Sequence, residues 1–457
     1  MGEHRVSRRG FVKAAGAAAL AAPAIVPSRV LGALAPSRRI QVGAIGVGRI
    51  SREHDLPGIL QHGIARVVAV CDLDAKRLAE GQQLVEEHYR RKGEASPGVR
   101  AFHDYRDLLA TGEVDAVVVS TPDHWHARPA IDAALAGKDV YLQKPASLTI
   151  AEGRQMSDAM HRTGRVFQLG TQQRSTEQFR VACELVRNGR IGDVRRVLIG
   201  LPVDPSGDEE AEMPVPKNLD YDAWLGSTPR VYYTEKRVHP QADYSRPGWL
   251  RCEQFGAGMI TGWGVHHVDI AHWGMGTEYT GPVEVQATAE FPKKGLWDVH
   301  GPFRVEARYA NGATVIMSDA LPNGVRFEGT EGWIFVTRGA YAATASDPVA
   351  KGKSAEALSA SDPRILASEI GPDGVHLPPS AEHHGNWLEA IRSRQAPISP
   401  AEVGHRSTSA CLVSHIAMRL GRKLAWDPQR ERFRNDDEAN AMLSRPQRPP
   451  YETAAQV

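Results

Sequence analysis

The chain has 457 residues, 42% of them hydrophobic, and its 55 Lys and Arg residues against 54 Asp and Glu residues leave a formal net charge of only +1. A nucleic-acid-binding protein of this size usually carries a basic excess or stripe that neutralises phosphates, and the sequence shows neither. Roughly 420 residues follow the N-terminal segment, which is enough for two cores because single cores stop growing near about 250–300 residues.

The first 35 residues predict an export signal. The order Ser7-Arg8-Arg9-Gly10-Phe11-Val12-Lys13 precedes an Ala-rich apolar stretch that ends near Val26. This order is typical of a twin-arginine signal. A membrane span needs about 20 apolar residues, and Pro23 and Pro27 interrupt this stretch. We therefore expect a periplasmic or otherwise exported protein, with its signal at residues 1–35 and no membrane span after the signal is removed.

Short apolar runs alternate with helical stretches in the first half of the chain. The predicted strands are Ile40–Ile45, Val67–Cys71, Ala116–Ser120, Asp139–Leu142 and Val166–Leu169. The helical stretches between them end near Leu60 or run over Asp74–Arg91, His126–Ala136 and Thr149–Arg162. Such alternation is typical of a doubly wound parallel sheet. We predict a Rossmann domain over residues 38–160.

The later pattern consists of strands joined by tight turns. These strands are predicted at Val283–Phe291, Phe303–Ala310, Ala313–Ser318 and Trp333–Thr337. The dipeptide Asn311-Gly312 favours a hairpin. We predict an α/β domain with a large open, mainly antiparallel sheet over residues 161–385, and C-terminal helices that pack on both domains over residues 386–457. The weakly patterned stretches 201–216 and 343–381 are predicted surface loops.

A glycine-rich turn follows the first predicted strand. Gly46 and Gly48 match two glycines of a dinucleotide-binding fingerprint, and Ser51 replaces the third. Asp72 follows the second predicted strand, where a carboxylate binds ribose hydroxyls and repels a 2′-phosphate. We therefore expect NAD rather than NADP, with a ligand-free tight turn as the alternative. The expected contacts here are Gly46, Val47, Gly48, Arg49, Ile50 and Asp72.

Two further motifs lie at the carboxyl ends of predicted strands, where open α/β sheets bind their ligands. The first is Thr121-Pro122-Asp123-His124-Trp125-His126, and the second is Gln143-Lys144-Pro145. A lysine is usually a solvated surface charge. At the rim of a cofactor crevice, however, its ammonium can hold a substrate hydroxyl and favour the alkoxide that develops as hydride leaves.

A fourth motif runs from Gly258 to Trp273. At helical spacing, Gly262, His266, Asp269 and Trp273 fall on one face. A histidine that points into a cleft can take the hydroxyl proton while the carbon gives up hydride, and its ordinary pKa near about 6.5 suits that task. A single histidine is more often a core residue, and the combination of four motifs favours the catalytic interpretation of His266.

These motifs, in this order, resemble the glucose-fructose oxidoreductase and inositol dehydrogenase family (Gfo/Idh/MocA). The resemblance covers almost everything after the signal, including Gly170-Thr171-Gln172-Gln173-Arg174 and Pro400-Ala401-Glu402-Val403-Gly404-His405-Arg406. It implies a nicotinamide cofactor, sugar or polyol substrates, and a dimer or tetramer. By position it implies that Lys144 and His266 are catalytic. The further cofactor contacts implied are Thr121, Pro122, His126, Gln143 and Lys144.

The chain departs from the family pattern at three positions. Gln143 replaces the usual Glu before the Lys-Pro pair, and Asp123 replaces the usual Asn. Gly262 stands where dehydrogenases of the family often place an Asp, four residues before the catalytic histidine. The Lys-Asp-His trio is therefore incomplete, and compensation by His239, Tyr244 or Asp269 is left open.

A polar stretch around Trp249 is the best candidate for a sugar platform, because flat indole faces stack on sugar rings. The expected substrate contacts are Gln172, Arg174, His239, Tyr244, Trp249 and Asp269. No metal ligand is expected.

The leading hypothesis is an exported oxidoreductase in which His266 is the general base and Lys144 orients a sugar hydroxyl. Twin-arginine substrates travel folded, so NAD is expected to be loaded before export and retained. The main alternative is an NAD-dependent glycosidase that oxidises its substrate transiently, eliminates the aglycone and reduces again. A metallohydrolase using His124, His126 and the histidines near His266 ranks lower, as does a non-catalytic sugar-binding protein.

Overall fold

A computed structural model of the protein describes residues 39–96, 98–341, 347 and 356–453. The export signal predicted at residues 1–35 lies outside this range. Residues from Ile40 onward form one compact unit. Within the described part of the chain, no helix is both long enough and apolar enough to cross a membrane.

The first half of the chain builds a parallel sheet with helices between its strands, as predicted. Its strands are β1 (Ile40–Ile45), β2 (Ala65–Cys71), β3 (Arg100–Phe102), β4 (Ala116–Val119), β5 (Asp139–Leu142) and β6 (Phe167–Leu169). Its helices are α1 (Leu56–Leu60), α2 (Ala75–Arg91), α3 (Tyr105–Ala110), α4 (Ala127–Leu135) and α5 (Ile150–Thr163). β1, β4 and β5 are almost wholly apolar because helices cover both faces of the sheet.

The strand order β3-β2-β1-β4-β5-β6 reverses direction between β1 and β4. In open α/β sheets, ligands bind outside the carboxyl ends of the strands at this switch point. Local signals position the helices around it. Asp74 caps α2 by accepting hydrogen bonds from two backbone N–H groups, and Thr149 with Glu152 forms a capping box at the start of α5.

The second half builds a nine-stranded, mainly antiparallel sheet, which confirms the predicted fold class. Its strands are β7 (Val194–Gly200), β8 (Glu284–Ala289), β9 (Phe303–Arg308), β10 (Thr314–Ser318), β11 (Gly324–Gly329), β12 (Trp333–Val336), β13 (Leu358–Ala360), β14 (Leu424–Asp427) and β15 (Arg432–Phe433). Their order is β13-β12-β11-β7-β10-β9-β8-β14-β15, and only β7 and β10 pair in parallel. The Asn311-Gly312 hairpin joins β9 to β10 as predicted.

The helices of the second half are α6 (Glu177–Arg187), α7 (Tyr221–Leu225), α8 (Met259–Gly262), α9 (Gly264–Met275), α10 (Pro363–Leu366), α11 (His383–Ser393), α12 (Ala401–Leu420) and α13 (Asp437–Ala441). Of these, α6, α9 and α12 pack on strands of the second sheet, whereas α11 packs on α1. The long helix α12 is buried over most of its length and contacts α5 on one side and β8 on another. It therefore lies between the two sheets.

Several predicted boundaries are wrong. β6 belongs to the parallel sheet, which therefore extends past the boundary predicted at residue 160. β13 and α10 lie within the predicted loop 343–381, and β14 and β15 add strands to a C-terminal segment predicted to contain helices. The motif helix is interrupted at Trp263, so Gly262 and His266 lie on two separate helices.

A buried ionic network joins α11 to the start of α1. His384 lies between two carboxylates, with its Nε2 3.1 Å from Asp55 and its Nδ1 2.9 Å from Glu382. Its ring also stacks on Tyr141, with the centroids 4.6 Å apart. Burial opposes the charge, but the hydrogen bonds to both carboxylates outweigh it and raise the pKa of His384 to about 9. The charged imidazole of His384 therefore links α11 to the Rossmann domain through its ion pair with Asp55.

We expect His384→Gln to lower the free energy of unfolding by about 3 kcal/mol, because it removes the cation that lies between the buried Asp55 and the half-buried Glu382. The pKa of His384 is higher in the folded state than in the unfolded state. The stabilisation by its protonated ring is therefore fully present below about pH 6.5 and is lost as the pH rises through about 9. Melting temperatures across that range should fall for the wild type, and the variant should lack this alkaline decline. The exposed His376→Gln is the control; the same slope in His384→Gln would contradict this ion-pair link.

Candidate active site

One cleft of about 320 Å³ opens at the switch point between β1 and β4. The strand-end motifs form one wall, and α8, α9 and the turn around Trp249 form the other. It brings together most of the residues that the sequence predicts for the site. Those that line it are Gly46, Gly48, Arg49, Ile50, Asp72, Thr121, Pro122, His126, Gln143, Lys144, Gln172, His239, Trp249 and His266.

The glycine-rich turn has the backbone geometry that a dinucleotide needs. Gly46 has a φ of +83°, and a Cβ there would lie 2.9 Å from the carbonyl carbon of Ser120, so only glycine fits. A Cβ on Gly48 would meet only a guanidinium nitrogen of Arg77, at 3.9 Å, so this part of the turn is open to the cleft. Val47 is fully buried against Gly81, and its contribution to the site is through its backbone.

Asp72 lies at the end of β2 with both carboxylate oxygens held. They accept hydrogen bonds at 2.9 Å from the backbone N–H groups of Val47 and Asp74, while burial raises the pKa of the carboxyl. The neighbouring Arg77 donates to the backbone carbonyls of Pro240 and Asp243 instead. A carboxylate without a free arginine beside it suits the ribose hydroxyls of NAD and disfavours a 2′-phosphate, so the turn and Asp72 fit this cofactor.

Lys144 projects into the cleft at the end of β5. Its Nζ donates a hydrogen bond to the backbone carbonyl of Gly262 at 2.6 Å. Burial lowers the pKa of Lys144 to about 8, and the charge of Asp123 opposes that shift. Gly262 occupies the position where the family often has an Asp. Here its backbone carbonyl accepts the hydrogen bond of Lys144 and orients the ammonium.

Asp123 is the carboxylate that acts most strongly on the charge of Lys144. It is only 5% exposed, and burial raises its pKa to about 7 against the opposing charge of Lys144. In the sequence, Asp123 was noted as a departure from a motif and was not predicted as a site residue. Its place at a strand end beside the predicted crevice was the signal that could have found it.

The presence of Gln143 in place of the usual Glu is explained by its contact with the carboxylate of Asp55. Its amide nitrogen donates to Asp55 at 2.8 Å, and Ser120 donates to the same carboxyl group at 2.6 Å. A Glu at position 143 would set two carboxylates against each other in a buried place. The amide is therefore the residue type that the network around His384 requires.

His266 reaches the cleft from the first turn of α9. Burial, together with the charges of Arg338 and Lys144, holds its pKa well below the ordinary value, so the ring is neutral. Its Nδ1 has no hydrogen-bond partner among the described residues. A neutral imidazole in a cleft with a lysine is able to accept a proton from a bound hydroxyl.

His126 joins the two strand-end motifs. Its Nδ1 lies 2.6 Å from the carbonyl oxygen of Pro145, and its Nε2 lies 2.9 Å from that of Thr121. Burial lowers its pKa to about 4. The neutral ring has one N–H and so donates to one of these two carbonyls, and His126 packs between the lysine loop and the Thr-Pro loop.

Three of the predicted substrate contacts do not reach the cleft. Arg174 and Asp269 form a bidentate ion pair at 2.6 and 2.9 Å, with side chains that are 2% and 0% exposed. The ring of Tyr244 lies between the guanidinium groups of Arg52 and Arg77, 4.4 Å from each. Their interactions lie within the fold, so the structure does not place them in the cleft where substrate binding was predicted.

His239 lines the cleft, but it also has a structural partner. Its Nε2 lies 3.0 Å from the carboxylate of Asp74, the residue that caps α2. Of the three residues considered as replacements for an Asp at position 262, His239 alone lines the cleft.

The histidines that a metallohydrolase would need are in separate contacts. His124 bonds to the carbonyl of Trp224, His267 to Asn323, and His272 to the hydroxyl of Tyr309. Among the described residues, one group of three metal-ligand side chains lies within coordinating distance, namely His54, Asp55 and His384. That group is part of the ionic network and not of the metallohydrolase alternative.

Arg338 and Arg246 also line the cleft, and neither was predicted as a site residue. Arg338 follows β12 and lies over the indole of Trp263, with its guanidinium carbon 4.4 Å from the ring centre. Arg246 donates to Asp204 at 3.1 Å. Trp263 lies inside the fourth motif, but nothing in the sequence around Arg338 connects it with a site more than 70 residues earlier in the chain.

Comparison with known families agrees with this geometry. The family description "Oxidoreductase family, NAD-binding Rossmann fold" matches residues 40–171. The description "Oxidoreductase family, C-terminal alpha/beta domain" matches residues 205–347 and 367–453. The chain belongs to the Gfo/Idh/MocA oxidoreductase family. The NAD-binding Rossmann domain and the second α/β domain expected from the sequence are both confirmed.

Two of the relatives that the chain resembles have the names of glycoside-cleaving enzymes. A "Glycosyl hydrolase family 109 protein" of Shewanella baltica is 30% identical over 207 residues, which cover 42% of this chain and 45% of the relative. An "Alpha-N-acetylgalactosaminidase" of Shewanella oneidensis is 29% identical over 217 residues, with the same coverage. The chain thus matches less than half the length of these relatives.

Solved structures share the fold over almost their whole length. The WlbA dehydrogenase from Bordetella pertussis, in complex with NADH and UDP-GlcNAcA, aligns with a TM-score of 0.59 at 19% identity over 85% of this chain and 99% of its own. An aldose-aldose oxidoreductase from Caulobacter crescentus, complexed with glycerol, aligns with a TM-score of 0.55 at 20% identity over 85% and 100%. At these identities the likeness shows the fold.

Proposed function

We propose that this Gfo/Idh/MocA protein oxidises a hydroxyl-bearing carbon of a sugar, glycoside or polyol with NAD that it retains. The observation that carries the proposal is the meeting of Lys144 and a neutral His266 in one cleft with the glycine-rich turn and Asp72. Residues from both halves of the chain converge there. The bound nicotinamide would supply the hydride acceptor, and the turn with Asp72 would hold it.

The two catalytic side chains have complementary tasks. His266 accepts the proton of the substrate hydroxyl as the carbon–oxygen bond becomes a carbonyl and hydride leaves the carbon. Lys144 uses one N–H for the carbonyl of Gly262, which leaves two for the substrate oxygen. Its positive charge stabilises the developing alkoxide. Proton and hydride leave together, so the oxidation balances.

Export would decide how the cofactor is used. The predicted twin-arginine signal would carry the protein out of the cytoplasm already folded, to a place where no free nicotinamide pool is expected. NAD retained on the enzyme would then be recycled there, either by a second sugar that acts as the oxidant or by a cycle without net redox change.

The redox-neutral cycle is a second candidate, an NAD-dependent glycosidase. Two observations favour it. Relatives of the chain are named as family 109 glycosyl hydrolases and as an alpha-N-acetylgalactosaminidase. In addition, burial raises the pKa of Asp123 to about 7, so a fraction of this carboxyl is protonated near neutral pH and could give its proton to a departing aglycone.

Incubation of the purified protein with aryl glycosides, without added NAD, separates the two candidates. Released phenol without accumulation of NADH supports the glycosidase cycle. Reduction of the bound NAD without phenol release supports net oxidation. If neither occurs with any sugar or glycoside, and added NAD does not restore activity, both candidates are contradicted.

We expect Asp123→Asn to move the alkaline limb of the pH–rate profile to lower pH by about one unit. The carboxylate opposes the fall in the pKa of Lys144, so its removal lets the ammonium lose its proton at lower pH. The measurement is kcat/KM for sugar-dependent reduction of bound NAD against pH. Asp107→Asn, on the exposed side of α3, is the control. An unchanged limb in Asp123→Asn would show that the carboxylate does not act on Lys144.

A further inference from the structure

Arg338 is held rigidly beside the catalytic histidine. Its Nη1 donates to Asp347 at 3.0 Å, and its guanidinium lies over the ring of Trp263. The Gln173 amide satisfies both of its polar atoms in one orientation. In that orientation the amide oxygen accepts a hydrogen bond from Nε of Arg338 at 3.2 Å, and the amide nitrogen donates to the backbone carbonyl of His266. The side chain is 8% exposed and lines the cleft.

One nitrogen of this fixed guanidinium has no acceptor. Nη2 of Arg338 is buried and makes no hydrogen bond within the described residues. Buried donors of a charged group are rarely left unpaired, because water is lost without replacement. Because Arg338 lines the cleft, its unpaired Nη2 points to an acceptor that arrives with a ligand.

Three cations lie around the catalytic pair. Lys144, Arg246 and Arg338 all line the cleft, and the carboxylates that act on them or pair with them are Asp123, Asp204 and Asp347. The oxidised nicotinamide would add another positive charge. Arg338 acts on both members of the pair, because its charge lowers the pKa of Lys144 and of His266.

We propose that the substrate is an acidic sugar, a hexuronate or its glycoside, whose carboxylate binds Nη2 of Arg338. Guanidinium groups match carboxylates in shape and charge, and a hydrogen bond between charged groups is stronger than one to a sugar hydroxyl. Arg246 provides a second cation, since like Arg338 it lies close enough to Lys144 to act on its charge. This inference rests on the proposed function, because a hydroxyl of the same sugar would be oxidised between Lys144 and His266.

Matched pairs of sugars that differ only at C6 test the proposal with the holoenzyme. Glucose is compared with glucuronate and galactose with galacturonate, both as free sugars and as aryl glycosides. Binding is measured by calorimetry, and turnover by reduction of the bound NAD. We expect the acidic member of at least one pair to bind at least about tenfold more tightly. Arg338→Gln should remove that preference, and Arg338→Lys should keep part of it.

Arg326→Gln is the matched control, because Arg326 also lies over a tryptophan, Trp333, but on the sheet away from the cleft. It should keep the full preference for the acidic sugar. Turnover of neutral sugars without any acidic preference would overturn the inference and leave the proposed function standing. Tight uronate binding that depends on Arg338, without reduction of NAD, would support the anion site and contradict the proposed oxidation.

Discussion

Lys144→Ala and His266→Ala should each lower kcat for the reduction of bound NAD by about 10²- to 10⁴-fold, the range expected for loss of a general base or of an alkoxide-stabilising charge. Both variants should still retain NAD, because the glycine-rich turn and Asp72 are unchanged. The double variant should lose little more than either single one, since the two groups act on the same hydroxyl. Stopped-flow measurement of bound NADH, with the released nucleotide quantified after denaturation, separates chemistry from cofactor loss.

Lys217→Ala and His161→Ala are matched controls, because both residues are exposed and lie outside the cleft. They should leave turnover within about twofold of the wild type. Full activity in either Lys144→Ala or His266→Ala would show that the assignment of that residue is wrong.

Asp269→Asn should have its effect on folding rather than on chemistry. It would leave the guanidinium of Arg174 buried with Glu278 as its remaining carboxylate partner, 2.8 Å from Nη1. Removing one member of a buried ion pair costs about 3–5 kcal/mol of stability. Urea denaturation followed by circular dichroism measures this loss.

The control for Asp269→Asn is Glu113→Gln, which breaks a pair with Arg100 whose side chains are about half exposed. Exposed pairs contribute about 0–1 kcal/mol, so this change should be small. A stable Asp269→Asn protein that has lost activity would instead favour the role in substrate binding predicted from the sequence.

The contrast between His266 and Asp269 shows where sequence reasoning ended. Their spacing of three residues correctly placed both on neighbouring positions of one helix. It could not show that the cleft faces His266 while Arg174, nearly 100 residues earlier in the chain, faces Asp269. A face of a helix is a local property, whereas the group that meets it depends on tertiary packing.

Most of the Rossmann half was predictable because β1, β2, β4, β5 and β6 are short, largely buried apolar runs. β3 was not predicted, because its three residues are largely exposed. β7 and β11 were missed because each alternates buried apolar positions with more accessible ones, some occupied by arginine, which weakens the apolar signal. The site residues were predictable to a similar extent. Residues at strand ends, such as Lys144, were predicted from local motifs, whereas Arg338 follows the distant strand β12 and no local motif marks it.

The departures at Gln143, Asp123 and Gly262 belong to one electrostatic arrangement. Asp55 requires an amide at position 143, the carbonyl of Gly262 orients Lys144, and Asp123 provides the carboxylate that acts on it. The Lys-Asp-His trio lacks its Asp at position 262, but Lys144 still has polar partners in the carbonyl of Gly262 and the carboxylate of Asp123.

The nucleotide that the protein holds, and its reduction by a sugar, can be measured on the purified protein. The protein is purified without added nucleotide, the nucleotide released on denaturation is identified, and the folded protein is titrated with neutral and acidic sugars while the absorbance of NADH is followed. The account predicts that NAD is released in near-equimolar amount, and that at least one sugar reduces it in the wild type but not in Lys144→Ala. A protein that holds no NAD, binds none when it is supplied, and reduces none with any sugar would contradict the account.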